Sequence, residues 1–305
     1  MSGVPQGTVL GPLMFLLYIN DLPSRVNIDT RCRLFADDCL LYRIIDGLED
    51  QVQLQSDLRE LEQWAADWGM QFNPSKCHVL SANKRSHHHQ YFYELCGVVL
   101  KSVESEKYLG VTLSSDLSWS SHITAICTKA NQKLGFIKRN LKGTPRELKR
   151  LAYVAFVRSG MEHASFIWDR HFIKDSDALE RVQRRAARWI TSKHDRGTSV
   201  TALLHQLHLE PLEERRRISR LTVLYNILNE HVAVPMNQLD LVLCDRPVRG
   251  STTKQRLKTP RCASTQFQKS FAVRTITEWN SLPDSVTSLA SVSSFRSHLS
   301  ATSCP

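Results

Sequence analysis

The sequence predicts an α+β chain: short strands and helices over residues 1–113, then a mainly α-helical basic region beyond residue 118. Three observations predict it. Two short apolar runs, 32–36 and 39–45, flank the adjacent acids Asp37 and Asp38, which reads as a β-hairpin with carboxylates at its tip. Apolar residues recur at helical spacing over 48–68 and in several blocks after 120. The charge is also divided. Residues 1–112 hold 10 Lys+Arg against 14 Asp+Glu, a net of −4, and residues 113–305 hold 30 against 16, a net of +14.

Taken in order, Gly3, Pro5 and Gly7 make a turn-rich loop whose backbone can approach a ligand closely. Thr8 is placed to cap a helix built on Val9, Leu10, Leu13, Met14, Leu17 and Tyr18, with Pro12 tolerated in its first turn. That helix should end near residues 21–23, and its nearly all-apolar character predicts burial against a sheet. After the hairpin, Asp46-Gly47-Leu48-Glu49 reads as a capping box, opening an amphipathic helix that Gly69 ends. Short strands are predicted at 70–72, 77–81, 91–95 and 97–100, with a turn at Asn73-Pro74-Ser75 and a tight β unit over 107–113. Helices are predicted at 120–141, 145–158, 175–191, 199–207 and 212–230. The Pro-, Arg-, Lys- and Thr-rich stretch 235–265 reads as an extended linker, 265–279 as a last helix, and the Ser-rich tail 285–305 as one short helix that then frays. Three parts are expected: 1–113, 118–232 and 233–305.

The length gives room for two or three domains, and 42% hydrophobic residues with six tryptophans argue for a folded chain. Eight cysteines occur without a CxxC pair, and the chain opens without a secretory leader. The apolar run 9–19 is too short to span a bilayer. Free thiols in an intracellular compartment, nucleus or cytoplasm, are the expectation, with no membrane partner. His87-His88-His89 follows Lys84-Arg85-Ser86 in a polar stretch and reads as a solvated loop. The basic excess points to a polyanion, and nucleic acid is the obvious one.

Two adjacent acids on a rigid turn repel each other unless a cation sits beside them, and hard oxygen ligands of this kind suit Mg²⁺. Asp is also an ordinary turn former, so the hairpin alone leaves both readings open. Lys129, Lys133, Lys138, Arg139 and Arg146 crowd the first two helices of the basic region, and Arg181, Arg184, Arg185 and Arg188 form a stripe at spacings of three and four on the next. Each alone reads as a solvated face. Together they carry self-repulsion that a bound anion would relieve.

The run Ser2-Gly3-Val4-Pro5-Gln6-Gly7-Thr8-Val9-Leu10-Gly11-Pro12-Leu13, followed by Phe35-Ala36-Asp37-Asp38, resembles the reverse transcriptase of non-LTR (LINE-type) retrotransposons of the jockey-like group. Phe72-Asn73-Pro74-Ser75-Lys76-Cys77 and Tyr108-Leu109-Gly110-Val111 look like the next two motifs of that family, and 274–283 is similar to the tail of such elements. The resemblance implies part of a right-hand polymerase: the later half of a palm in residues 1–113, then a basic thumb and C-terminal region. It implies that Gly3, Pro5, Gln6, Gly7, Phe35 and Ala36 line the template and nucleotide pocket. Asp37 and Asp38 would be metal-site carboxylates, Lys76 would approach the triphosphate, and Tyr108, Leu109 and Gly110 would grip the primer. RNA template, DNA primer and deoxynucleoside triphosphates are the implied partners, with two Mg²⁺ ions (Mn²⁺ possible) and no small-molecule cofactor. In this family a further aspartate, from a strand ahead of Ser2-Gly3, completes the metal cage, and the present chain starts after that point. An RNA-directed DNA polymerase fragment, inactive alone as a 5′-truncated copy, is therefore expected. The alternative is a non-catalytic nucleic-acid-binding remnant acting through its basic helices.

Overall fold

A computed structural model describes residues 7–82, 91–169, 172–195, 197–244, 256–262 and 265–302. The chain divides into two compact units, 1–106 and 107–305. The fold is mixed: helices with small sheets, each two-stranded among the described residues.

In the first unit α1 spans Leu10–Tyr18, and Thr8 Oγ1 accepts the Gly11 N–H at 3.1 Å, as the sequence suggested. The predicted burial of this helix is not found. Val9 is 94% exposed and Leu17 71%, while Phe15 and Ile19 are its contacts with the core. Apolar residues ring the helix, but the small cluster of Cys32, Leu61, Trp64 and Ala65 meets only one side of it. β1 (Arg31–Phe35) pairs antiparallel with β2 (Asp38–Tyr42).

α2 spans Leu48–Asp67. Its acid cap lies one residue later than predicted. Asp50, not Glu49, accepts the backbone N–H groups of Asp46 (3.0 Å) and Gly47 (3.2 Å), and Arg43 Nη2 donates to it at 2.9 Å. The Asp46 backbone bond first, then Arg43 and then the Gly47 backbone bond, hold the Asp50 carboxyl below the usual range. Gly69, at φ 65°, ends the helix: its N–H bonds to Ala66 O and that of Met70 to Ala65 O (2.7 Å), a Schellman closure. The Met70 donor is thereby used by the helix end, so the predicted strand at 70–72 does not form. β3 (His78–Val79) pairs parallel with β6 (Lys101–Ser102), and β4 (Glu94–Leu95) antiparallel with β5 (Val98–Val99). Gln55 ties α2 to Glu94 by donating to its carbonyl (2.9 Å) and accepting its N–H (2.8 Å). The predicted loop His87-His88-His89 lies outside the described residues.

The second unit opens with a hairpin of β7 (Ser105–Tyr108) and β8 (Val111–Ser114). Five helices lie close to prediction, α3 Ser120–Asn140, α4 Arg146–Ala152, α7 Ile173–Thr191, α8 Val200–Gln206 and α9 Leu212–Leu228, while α5 Ser159–Glu162 and α6 Ser165–Trp168 fall where none was predicted. A π-helical turn, Tyr153–Arg158, joins α4 to α5. Ile123, Leu134, Tyr153, Val157, Trp168, Leu179 and Ala186 belong to the core shared by α3 to α8. The other side of α9 builds a second core with α11 (Phe271–Ser281), α12 (Asp284–Thr287) and α13 (Val292–Thr302), after a short α10 (Thr265–Gln268).

Two expectations fail in this second core. Leu241 and Leu257, inside the stretch read as an extended linker, are buried there, and Asn280 holds Leu257 by both backbone groups at 3.1 and 2.8 Å. The tail helix is longer and better packed than expected: α13 inserts Phe295 and Leu299, and Tyr225 stacks on Phe295 at 4.6 Å. One apolar pair at i,i+4 suffices, because it closes over an existing pocket.

Buried charge joins the two cores. Asp169, just after α6, receives Arg216 Nε (2.9 Å) and Arg220 Nε (2.5 Å) from α9, and Arg274 Nη1 (3.1 Å) from α11. Arg220 Nη2 also reaches Glu278 Oε1 at 2.9 Å. Asp169→Asn leaves buried Arg216 without a carboxylate partner and Arg220 with Glu278 alone, and should cost about 3–5 kcal/mol. Urea unfolding followed by the fluorescence of Trp168 and Trp279 would read this as a lowered midpoint.

Candidate functional site

The β1–β2 register pairs Phe35 with Asp38 and leaves Ala36-Asp37 as a two-residue loop. Ala36 takes φ 51°, the left-handed value that such short hairpin loops demand and that glycine or asparagine usually supplies. Phe35, Ala36, Asp37 and Asp38 are all exposed. Alternation along the strands turns Cys32 into the core, while the two carboxylates stand at the solvent end. Among the described residues no group of three or more His, Cys, Asp and Glu is placed to hold a metal ion.

Behind the carboxylates two thiols meet, Cys32 Sγ and Cys39 Sγ at 3.6 Å. That hydrogen bond lowers the Cys32 pKa and raises that of Cys39. A weaker cause of the upward push on Cys39 is repulsion from Cys77, which follows Lys76. Lys76 itself sits in a short turn of the first unit. That turn is a 3₁₀ segment, Pro74–Lys76, whose Asn73 Oδ1 accepts the Ser75 N–H (3.2 Å) and hydroxyl (2.6 Å), leaving Lys76 exposed. Gly7 is described, at φ 84°, and exposed; Gly3, Pro5 and Gln6 lie outside the described residues.

Tyr108, Leu109 and Gly110 form the β7–β8 turn in the second unit, with Leu109 at φ 47° and Gly110 at φ 87°. The positive φ of Gly110 favours glycine, and a Cβ there would also press on the His163 ring, 3.0 Å from Nε2. His163 Nε2 lies 3.2 Å from Leu109 O. His122 Nδ1 accepts the Thr112 N–H at 3.2 Å, and its Nε2 is buried without a hydrogen-bond partner among the described residues. Both histidines escaped the sequence reading: His163 lies more than 50 residues from the turn, with no local pattern linking them.

The predicted basic residues fall on three helices. Lys129, Lys133, Lys138 and Arg139 are on α3, Arg146 begins α4, and Arg181, Arg185 and Arg188 are on α7. Lys129, Lys133, Arg139, Arg146, Arg181 and Arg185 are exposed, whereas Lys138 and Arg188 are half-buried. Arg146 Nη2 approaches Gln206 O at 3.4 Å.

Residues 1–113 match the reverse transcriptase (RNA-dependent DNA polymerase) family. That segment of the chain belongs to this family. More narrowly, the chain is similar to the polymerases of LINE-type, non-LTR elements. It is 32% identical over 275 residues to a probable RNA-directed DNA polymerase from transposon BS of Drosophila melanogaster, covering 85% of this chain and 29% of that protein. To a probable RNA-directed DNA polymerase from transposon X-element of the same fly it is 28% identical over 205 residues (62% and 22%). To the RNA-directed DNA polymerase from mobile element jockey it is 33% identical over 133 residues (41% and 14%). The chain therefore spans less than a third of the length of these relatives. No solved structure matches it. Among the described residues no helix is long and apolar enough to cross a membrane.

Burial first, then the positive charge of His163 and Lys107, lowers the His122 pKa below its ordinary 6.5. Only the neutral ring can accept the Thr112 N–H. The stabilisation is therefore complete above the unfolded histidine value and is lost as pH falls through the lower folded value. Titration downward from about pH 6.5 should move the Thr112 amide resonance, and His122→Gln should abolish that titration.

Proposed function

We propose that residues 1–113 are the later part of a polymerase palm, adding deoxynucleotides to a DNA primer on an RNA template with release of pyrophosphate. Residues 118–232 would be a thumb-like helical region and 233–305 a basic C-terminal region that packs on it. The observation that carries this reading is the hairpin: two adjacent carboxylates at the exposed end of a two-residue turn.

Two carboxylates fit part of the shell of one hydrated divalent ion such as Mg²⁺, or Mn²⁺ in its place. They do not make a cage for two. A divalent ion held there would acidify an attacking hydroxyl and steady the leaving phosphates. Asp37, at the loop, is the more direct ligand in this reading, and Asp38 supports it from the first position of β2. Lys76 Nζ supplies a positive charge and protons to the pyrophosphate side. Gly3, Pro5, Gln6, Gly7, Phe35 and Ala36 pack against template and incoming nucleotide, and the Tyr108-Leu109-Gly110 turn holds the primer end. Lys129, Lys133, Lys138, Arg139 and Arg146 contact phosphates. A misplacement of about 1 Å can cost on the order of 10²-fold, so the 305-residue polypeptide, with two carboxylates at its tip, should extend primers weakly or not at all.

Titrating Mn²⁺ into the labelled chain should broaden the amide signals of residues 36–38 before others. Asp37→Asn should weaken that effect at least about tenfold, since even outer-shell partners of metal ligands carry 10–100-fold. Robust primer extension by the 305-residue chain that survives Asp37→Asn would sink the catalytic assignment.

A further inference from the structure

The proposed polymerase chemistry uses none of the eight cysteines. Two of them nonetheless stand together. Cys32 Sγ and Cys39 Sγ, one on each strand of the hairpin, lie 3.6 Å apart. Cys77 and Cys262 instead meet backbone carbonyls, of Asn73 (3.3 Å) and Pro260 (3.4 Å). Cys32 is 5% exposed, whereas Cys39 is open to solvent.

The register explains this contact and sets its limit. Cys32 faces Leu41 across the ladder and Cys39 faces Leu34, so the two thiols are diagonal neighbours on one face of the hairpin. Diagonal Cα atoms stand roughly 7–8 Å apart. An unstrained disulfide spans about 4.4–6.8 Å between its Cα atoms. A bond between these sulfurs therefore draws β2 toward β1 at Cys39, whose neighbour in the chain is Asp38. A bridge closed under such strain is readily reduced, which suits a transient link in a reducing compartment rather than a permanent staple.

The two sulfurs are also unequal. The hydrogen bond from the Cys39 thiol holds the Cys32 pKa low, with burial opposing it and Arg33 assisting. Thiolate is the form that reacts with oxidants. A sulfur as enclosed as Cys32 is reached by a molecule the size of water sooner than by a bulky one such as glutathione disulfide, and hydrogen peroxide meets that requirement.

We propose that Cys32 and Cys39 are a peroxide-oxidised thiol pair whose reversible disulfide displaces the acid-bearing turn of the hairpin. In the first step the Cys32 thiolate attacks one peroxide oxygen, the O–O bond breaks, and the departing hydroxide takes a proton from solvent, leaving a sulfenic acid. In the second, Cys39 Sγ attacks Cys32 Sγ, the S–O bond breaks, and the thiol proton leaves with the hydroxide as water. Two thiols and one peroxide give one disulfide and two waters. The oxidation site stands on the hairpin geometry alone; only its consequence for metal binding rests on the polymerase reading above.

Treating the metal-free 305-residue chain with hydrogen peroxide, then alkylating it and cleaving with trypsin, tests the pair directly. Cuts after Arg31, Arg33 and Arg43 put Cys32 and Cys39 on separate peptides. Those two peptides should appear joined, from chains that stay single on a non-reducing gel. The free thiols of Cys32 and Cys39 should be lost in equal amounts and restored by dithiothreitol. After the peroxide is removed, the Cα resonances of Ala36 and Asp37 should shift, and return on reduction. Cys39→Ser should abolish the joined peptides and leave Cys32 as a sulfenic acid that dimedone traps. Both thiols still open to alkylation once Cys262 is oxidised would overturn the proposal. So would a Cys39–Cys77 bridge in place of this one, or a Cys32–Cys39 bridge that leaves the Ala36 and Asp37 resonances unmoved. The mapping uses the parent chain and no metal, so its result is independent of the Mn²⁺ and primer-extension outcomes.

Discussion

One buried carboxylate constrains the second unit more than any other group. The Asp169 side chain is 1% exposed and is met by guanidiniums from positions 47, 51 and 105 residues further along the chain. Removing such charges from water is expensive, and their mutual attraction repays it only when the geometry leaves few of them unmatched. Arg216, Arg220 and Arg274 can share Asp169 in one arrangement of α9 and α11, because Arg220 must also reach Glu278 and Arg216 Nη2 must reach Ser176 at 2.9 Å. The apolar faces of α9 would tolerate rotation or sliding. The charged cluster does not, and it fixes which side of α9 serves each core.

Much of this architecture was legible in the sequence, and the reasons differ by element. The helices beyond residue 120 show apolar spacing that repeats over several turns with clear stops, so their ends were placed within a few residues. The hairpin was legible because two-fold alternation and a short acidic turn leave one sensible pairing. Arg215-Arg216-Arg217 was not, since three adjacent arginines look alike in one dimension although only Arg216 turns inward to Asp169. The last helix was expected, but its length and burial were not, for a similar reason. Phe295 and Leu299 are isolated among serines, and their burial depends on a pocket made by Tyr225 and Trp279 far upstream. For α1 the error ran the other way: apolar character was visible, but its destination was not.

At the candidate site, residue types were legible and relationships were not. The acids, Lys76 and the Tyr108–Gly110 turn stand on the kinds of turn their composition implied. The imidazoles beneath the turn come from distant helical segments, and no spacing rule reaches them. The arginine stripe was visible as a period, yet only the fold separates it from α9, where every arginine meets a carboxylate. Charge counting alone would have treated the two helices as equivalent.

The shortness of the hairpin loop has a consequence for how this chain can vary. With Ala36 and Asp37 alone outside the ladder there is no slack to absorb an added or deleted residue. A one-residue slip between the strands would invert the pleat, sending Cys32 toward water and swinging Asp38 toward Trp64 and Leu61. Substitutions along β1 and β2 can therefore accumulate without moving the acids, while any single-codon length change there would displace both at once.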